Sequence, residues 1–207
     1  VAALAAGLRH ELWLTPKPGL VDRRDAGSHP DLSFALMERS IELVEGYLGE
    51  LATSAARGEP LASQVALGQA AEARMLATLG ANTHRGAIFL CGLVVTAAGR
   101  PGGAGGHAAG EAALSEAVAR TAGELLAQRA LPASHGAAAR RAFGVGGVVA
   151  EARAGLPSVF GAALPAWRAA RGRGRGLDEA AFAAMAALME LVEDTTALHR
   201  GAAAGLA

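Results

Sequence analysis

Seven residues in the middle of the chain, Gly80-Ala81-Asn82-Thr83-His84-Arg85-Gly86, set an amide, a hydroxyl, an imidazole and a guanidinium at the mouth of an apolar segment. Asn82 or Thr83 can accept a hydrogen bond from the orphan N–H groups of the helix that Ile88, Phe89 and Leu90 open, and that positive helix end attracts anions. A plain cap beside a surface histidine accounts for the same residues. Two further clusters interrupt the apolar pattern with ionisable groups, Lys17 to Asp31 and Glu193 to Arg200. In the second, Glu190, Glu193 and Asp194 lie within about one turn, where like charges repel unless a cation or a basic partner sits among them. Magnesium or an arginine would serve, and Arg200 falls two turns from Glu193 on the same face; a solvated acidic face is the bland alternative. Zinc is disfavoured, because His10, His29, His84, His107, His135 and His199 include no pair at ligand spacing and Cys91 has no partner. Magnesium bound through one or two carboxylates and substrate phosphates fits better.

The elements that must position these groups are helices. Leu4, Leu8 and Leu12 recur at helical spacing over Ala2 to Leu14, and Pro16 and Pro18 forbid continuation. Residues Thr15 to Pro30 are loop chemistry dense in charge. Asp31 or Ser33 can cap a helix carrying Phe34, Met37, Ile41, Val44, Leu48 and Leu51 as one apolar stripe. Gly58 and Pro60 separate it from a third helix that runs to about Leu79, with Gly80 as terminator. A buried helix follows from Thr83, then a Gly-rich connector over Gly99 to Gly110, and a helix from Glu111 to about Arg129. Ser134 is a cap candidate for a helix through Ala142. Further helices are read over Val148 to Ala154 and Val159 to Ala170. Arg171 to Gly176 reads as a solvated basic linker, and Asp178 as the cap of a last helix extending to Leu198. No segment alternates with period two. The expectation is an all-α, single-domain array of about seven to nine helices over residues 1–207, with functional loops at helix ends.

Bulk properties narrow the class of function. Apolar residues make up 52% and charged residues 18% of the 207, with zero formal net charge. That describes a globular protein with a large core and no global field to recruit nucleic acid or an anionic membrane. The apolar run from Gly86 to Gly99 is shorter than the roughly 20 residues a membrane helix needs. The start lacks Met and a signal pattern, so the sequence reads as cytoplasmic and trimmed at its start. A lone cysteine fits a reducing compartment, with Cys91 as a core filler.

Thr15-Pro16-Lys17-Pro18-Gly19-Leu20-Val21-Asp22, Gly27-Ser28-His29-Pro30-Asp31, Gly80 to Phe89, Ser134-His135-Gly136, Phe143 to Gly147 with Glu151-Ala152, Glu193-Asp194-Thr195 and His199-Arg200-Gly201 occur in this order. Together they resemble the triphosphoribosyl-dephospho-CoA synthase family, over about residues 8 to 201. The resemblance implies an all-helical enzyme that takes ATP and 3′-dephospho-CoA, joins the triphosphoribosyl part of ATP to a ribose 2′-hydroxyl and releases adenine. The product is the prosthetic-group precursor of the acyl carrier protein of citrate lyase or malonate decarboxylase. The Asn-Thr-His-Arg form and the His199-Arg200 pair incline the reading to the malonate branch. Two motifs depart from the family pattern. Thr196 stands where an asparagine is expected, and Val149 where an arginine is; the family also continues past Arg200-Gly201, whereas this sequence ends at Ala207.

On that resemblance, Asp22, His84 and Asp194 are the catalytic candidates. Asp22 and Asp194 divide magnesium binding and base or cation-stabilising work between them, and Glu193 joins the metal set. His84 orients a phosphate or donates a proton. Lys17, His29, Asn82, Thr83, Arg85 and Arg200 hold phosphate or ribose, Arg through paired contacts and Lys as a point charge. The bland alternatives are a solvated Lys17, an Asp22 that caps a turn and a structural His84. Two rival functions use the same residues: a magnesium-dependent nucleotide or ADP-ribose hydrolase, and a degenerate nucleotide-binding helical protein without turnover. Neither oligomeric state nor metal number follows from the sequence.

Overall fold

Prolines, glycines and one serine punctuate the chain where the sequence places them. In the computed structural model, which describes residues 1–29, 31–100, 110–128, 138 and 141–192, the described residues form nine helical elements and no strand. This is the expected all-α class. The contacts gather in two compact units, Val1–Gly110 and Glu111–Ala207.

In the first unit, α1 spans Ala2–Trp13, α2 Phe34–Ala56, α3 Leu61–Leu79 and α4 Arg85–Gly99. Ser33 caps α2, its hydroxyl accepting the Leu36 N–H at 3.2 Å. Gly80, at φ 72°, ends α3 in the left-handed conformation that a residue without Cβ adopts freely. The core joins Val44, Tyr47, Leu48 and Leu51 of α2 to Ala71 and Met75 of α3 and Ile88 of α4. Cys91 packs at the edge of this cluster as a core filler, and burial pushes its thiol pKa up. Tyr47 is the tightest fit, because a Cβ on Gly92 would lie 2.1 Å from its hydroxyl and one on Gly68 3.4 Å away.

Apolar and cation–π contacts help to tie the loop after α1 to this unit. Val21 is buried with Leu12 of α1 and Ile41 of α2. The Arg23 guanidinium lies 5.0 Å over the Trp13 ring, which itself meets Phe34 edge-on at 5.5 Å. Apolar contact and a cation–π pair thus hold a segment that has no regular hydrogen-bond ladder.

In the second unit α5 spans Glu111–Gln128 and α6 Gly147–Arg153; a π-helical segment, Val159–Ala163, leads into α7, Leu164–Gly172, and α8 covers Leu177–Leu191. Ser115 of α5 donates to the Gly155 carbonyl at 2.8 Å, and Gly155 has φ 79°. A Cβ there would sit 2.5 Å from the Ser115 carbonyl oxygen, so glycine is needed at this crossing. Glu151 accepts from the Ser158 N–H and hydroxyl at 3.2 and 2.6 Å, closing the turn after α6.

Some local expectations are corrected. Neither Asn82 nor Thr83 caps α4: His84 occupies the N-cap position, and no side chain there bonds a helix N–H. Asp178 does not cap α8 either; it lies in the first turn, Gly176 is the N-cap, and Glu179 reaches back to the Gly176 N–H at 2.9 Å. Arg171 and Gly172 belong to α7 rather than to a linker, although residues 171–176 are exposed as expected. The last helix stops at Leu191, with Val192 extended. The core of the Gly-rich connector, Ser134 and the stretch to Leu198 lie outside the described residues.

Candidate active site

The loop that carries Lys17 is built around one carboxylate. Asp22 is buried, and its side chain accepts the Lys17 N–H at 2.8 Å, the Arg24 N–H at 2.7 Å and the Asp25 N–H at 3.3 Å. These bonds, that from Arg24 foremost, hold its pKa below the usual carboxylate range. Asp22 is therefore an organiser of its own turn. A second bond pattern closes the loop across its base, where Ser28 N–H reaches the Gly19 carbonyl at 3.1 Å. Gly27, at φ 56°, lies so close to this crossing that a Cβ would stand 2.4 Å from the Gly19 carbonyl carbon.

With its backbone held, the Lys17 side chain is sealed inside the unit, 3% exposed, rather than solvated. Its ammonium meets Glu11 of α1 at 2.5 Å, while the Glu11 side chain is half in solvent. A buried cation requires such a partner, and the pairing was not legible from the two residues' spacing.

His84 faces the same interior. It is 8% exposed, and its Nδ1 contacts the Ser40 hydroxyl of α2 and lies 3.3 Å from that of Thr83. Burial chiefly, and the Lys17 charge second, push its pKa down to about 4. The ring is thus neutral near pH 7, with one nitrogen bare and a reduced affinity for a second proton. Its burial corrects the picture of a surface histidine.

The other expected residues divide. Thr83 is oriented toward the interior, its hydroxyl 3.7 Å from Met75 Sδ. The Asn82 side-chain amide oxygen is buried without a hydrogen-bond partner among the described residues. Arg85 is half-exposed and pairs with Glu72 of α3 at 3.3 Å. His29 sits part-covered in the loop beyond Gly27. Glu193, Asp194 and Arg200 lie outside the described residues, among which no three His, Cys, Asp or Glu side chains gather as a metal site. The structure thus brings Lys17 and Asp22 onto one organised loop and sets the Lys17 charge to act on His84. Ser40 and Glu11 were missed. Ser40 had a signal, a hydroxyl on the apolar stripe between Met37 and Ile41; Glu11 had none.

In the second unit, Arg141 and Arg153 flank a shallow groove floored by Val145, Val149 and Ala150.

Fold and site define an all-α protein whose buried ionisable groups gather at helix ends and on one carboxylate-pinned loop. The chain belongs to the CitG family, ATP:dephospho-CoA triphosphoribosyl transferase, whose model matches residues 1–207. It is 41% identical over 203 aligned positions to a probable 2-(5''-triphosphoribosyl)-3'-dephosphocoenzyme-A synthase of Stutzerimonas stutzeri, covering 95% of this chain and 68% of that protein. A protein of the same name from Azotobacter vinelandii is also 41% identical, with 99% of this chain and 72% of that protein covered. The 2-(5''-triphosphoribosyl)-3'-dephosphocoenzyme-A synthase of Klebsiella pneumoniae is 40% identical over 98% of this chain and 72% of its own length. No solved structure matches the chain. No helix among the described residues is long and apolar enough to cross a membrane.

Proposed function

We propose that this chain transfers the triphosphoribosyl group of ATP to the ribose 2′-hydroxyl of 3′-dephospho-CoA and releases adenine, the two units serving as one functional domain in the cytoplasm. Family membership supports the reaction, and one observation supports the site: residues from two separate family motifs, Lys17 and His84, are buried in one unit with the lysine charge acting on the ring. Breaking the adenine–ribose bond develops positive charge at the sugar, while the incoming hydroxyl must lose a proton. A neutral His84 is the base for that proton. Lys17 supplies a point charge to the triphosphate, and Asp22 keeps the Lys17 backbone in place while remaining anionic. Asn82, whose side-chain amide oxygen has no hydrogen-bond partner among the described residues, is a candidate acceptor for a ribose hydroxyl or an adenine amine. His29, Thr83, Arg85 and Arg200 complete the candidate phosphate and ribose contacts, and Asp194 is the candidate stabiliser of charge at the sugar.

The described residues do not by themselves fit a magnesium site, because Asp22 already accepts three N–H groups and no second ligating carboxylate joins it in a cluster. Magnesium in this reading arrives with the triphosphate, and Glu193 and Asp194 are its candidate protein ligands. The Asn82 to Arg85 form and His199-Arg200 favour the malonate decarboxylase branch as the destination of the product.

The test is mass spectrometry of the full chain incubated with ATP, magnesium and 3′-dephospho-CoA. The transferase reading expects free adenine together with the conjugate, only when both substrates are present. Adenine or phosphate released from ATP alone would point to a hydrolase, and nucleotide binding without any product to a non-catalytic relative. Offering the conjugate's downstream transferase either carrier protein decides the branch.

A further inference from the structure

The ring of His84 has two nitrogens, and the reaction above needs one of them free to take a proton. Which one is free follows from hydroxyl protons that can be counted. Ser40 Oγ lies 2.9 Å from the Met37 carbonyl oxygen and in contact with His84 Nδ1, and the residue is wholly buried. A hydroxyl has one proton, and a carbonyl oxygen can only accept. If the Ser40 proton points to Met37, the contact with Nδ1 is a hydrogen bond only when Nδ1 carries the proton and donates. Thr83 does not choose between the two: its hydroxyl lies 3.7 Å from the Met75 sulfur, a weak acceptor, and 3.3 Å from His84 Nδ1, so the Ser40 contact carries the choice.

We infer that Ser40, held by the Met37 carbonyl, fixes His84 as the Nδ1–H tautomer and so leaves Nε2 as the proton acceptor of the transfer step. Ser40 is in this sense a positioning residue for the proposed reaction, on whose reading the inference rests. The alternative network has Ser40 donating to Nδ1. It would leave a proton on Nε2 and turn a base into a donor, so the two arrangements give opposite chemistry at Nε2. In the inferred step the 2′-hydroxyl proton moves to Nε2 while its oxygen forms the bond to C1′ of the ATP ribose. The C1′–N9 bond breaks, its electron pair leaves on adenine, and adenine takes up the proton that the imidazolium gives back. The ring returns to Nδ1–H, still bonded to Ser40. Among the described residues, Lys17 is the charged group whose field bears on this ring, and it opposes a second proton there.

The experiment reads the tautomer directly. The full chain is labelled with 15N-histidine, and the nitrogen shifts of His84 are recorded near pH 7, the resonance being assigned by its absence in His84→Gln. The expected pattern is a protonated-type Nδ1 and an unprotonated-type Nε2. In Ser40→Ala the tautomers should mix, and kcat for adenine release should fall about tenfold or more with KM for ATP changed little, as for a group that acts through a base. Ser40→Thr, which keeps the hydroxyl, should recover part of that loss. An unprotonated Nδ1 in the wild-type chain overturns the inference whatever the kinetics, as does a Ser40→Ala protein with wild-type kcat. Absence of adenine release from the wild-type chain with both substrates defeats the assigned reaction instead, and the tautomer spectra then still judge the role of Ser40.

Discussion

Lowering the pH should destabilise this protein through His84 well before its carboxylates are protonated. The unfolded chain binds a proton at this histidine near pH 6.5, whereas the folded ring resists protonation down to about 4. Unfolding therefore takes up a proton between these values, so the stability that rests on a neutral buried ring is fully present above pH 6.5. It is lost progressively as the pH falls toward 4. At about 1.4 kcal/mol per pH unit, the gap between the two values corresponds to roughly 3 kcal/mol when fully expressed, and about 2 kcal/mol of it is lost by about pH 5. The assay is urea unfolding of the wild-type chain and of His84→Gln at about pH 7.5 and about pH 5, followed by helical circular dichroism. Carboxylates titrate alike in both proteins, so the difference between their pH dependences isolates the ring. The wild type should lose about 2 kcal/mol more than the variant on acidification. Equal losses, or a His84 that titrates near 6.5 by NMR in the folded chain, would refute the reasoning, because either means that the ring is solvated.

Three other outcomes follow from positions where the geometry leaves no slack. Gly27→Ala should open the loop, since the new Cβ would meet Gly19 backbone at 2.4 Å and the residue holds φ 56°; faster hydrogen exchange at the Ser28 amide and a stability loss of about 1–2 kcal/mol are expected. Gly92→Ala should cost about 1–3 kcal/mol by driving a methyl into the Tyr47 hydroxyl. Most of that loss should vanish in the Tyr47→Phe background, and a double-mutant cycle with no coupling would contradict the contact. Ser33→Ala should remove about 1 kcal/mol by leaving the Leu36 N–H without its cap in urea unfolding curves.

The end of α1 and the boundaries of α2 and α3 were legible because each is set by a residue whose backbone physics is local. Pro16 and Pro18 cannot extend a helix, Ser33 caps, Gly58 and Pro60 separate two helices, and Gly80 turns left-handed. The cap of α4 was not legible, since Asn82 and Thr83 have the right chemistry and only the tertiary fold decides that Thr83 turns to Met75 and His84 instead. The same holds at α8, where a glutamate three residues into the helix outcompetes the aspartate at its start. In the site, motif order pointed to Lys17, Asp22 and His84 without showing their environments. Burial of a lysine against Glu11 and of a histidine against Ser40 comes from helix packing between distant segments, which pattern in one dimension does not encode. The π-helical turn at Val159–Ala163 likewise left no mark in the periodicity, because its residues are as apolar as those of the helix it leads into.

Tyr47 has a consequence for how substitutions in this protein would be interpreted. Its ring lies across the seam where α3 and α4 approach α2, and the smallest residue is needed at Gly92 because the phenol leaves no room for more. Gly92 is eight residues from His84 along the same helix, about 12 Å at the rise of an α-helix. A screen scored only by product formation would record an intolerant glycine there and invite its assignment to substrate contact. Its intolerance is mechanical: it sets the thickness of the layer on which the imidazole is mounted, and a screen scored by folding would find the same position.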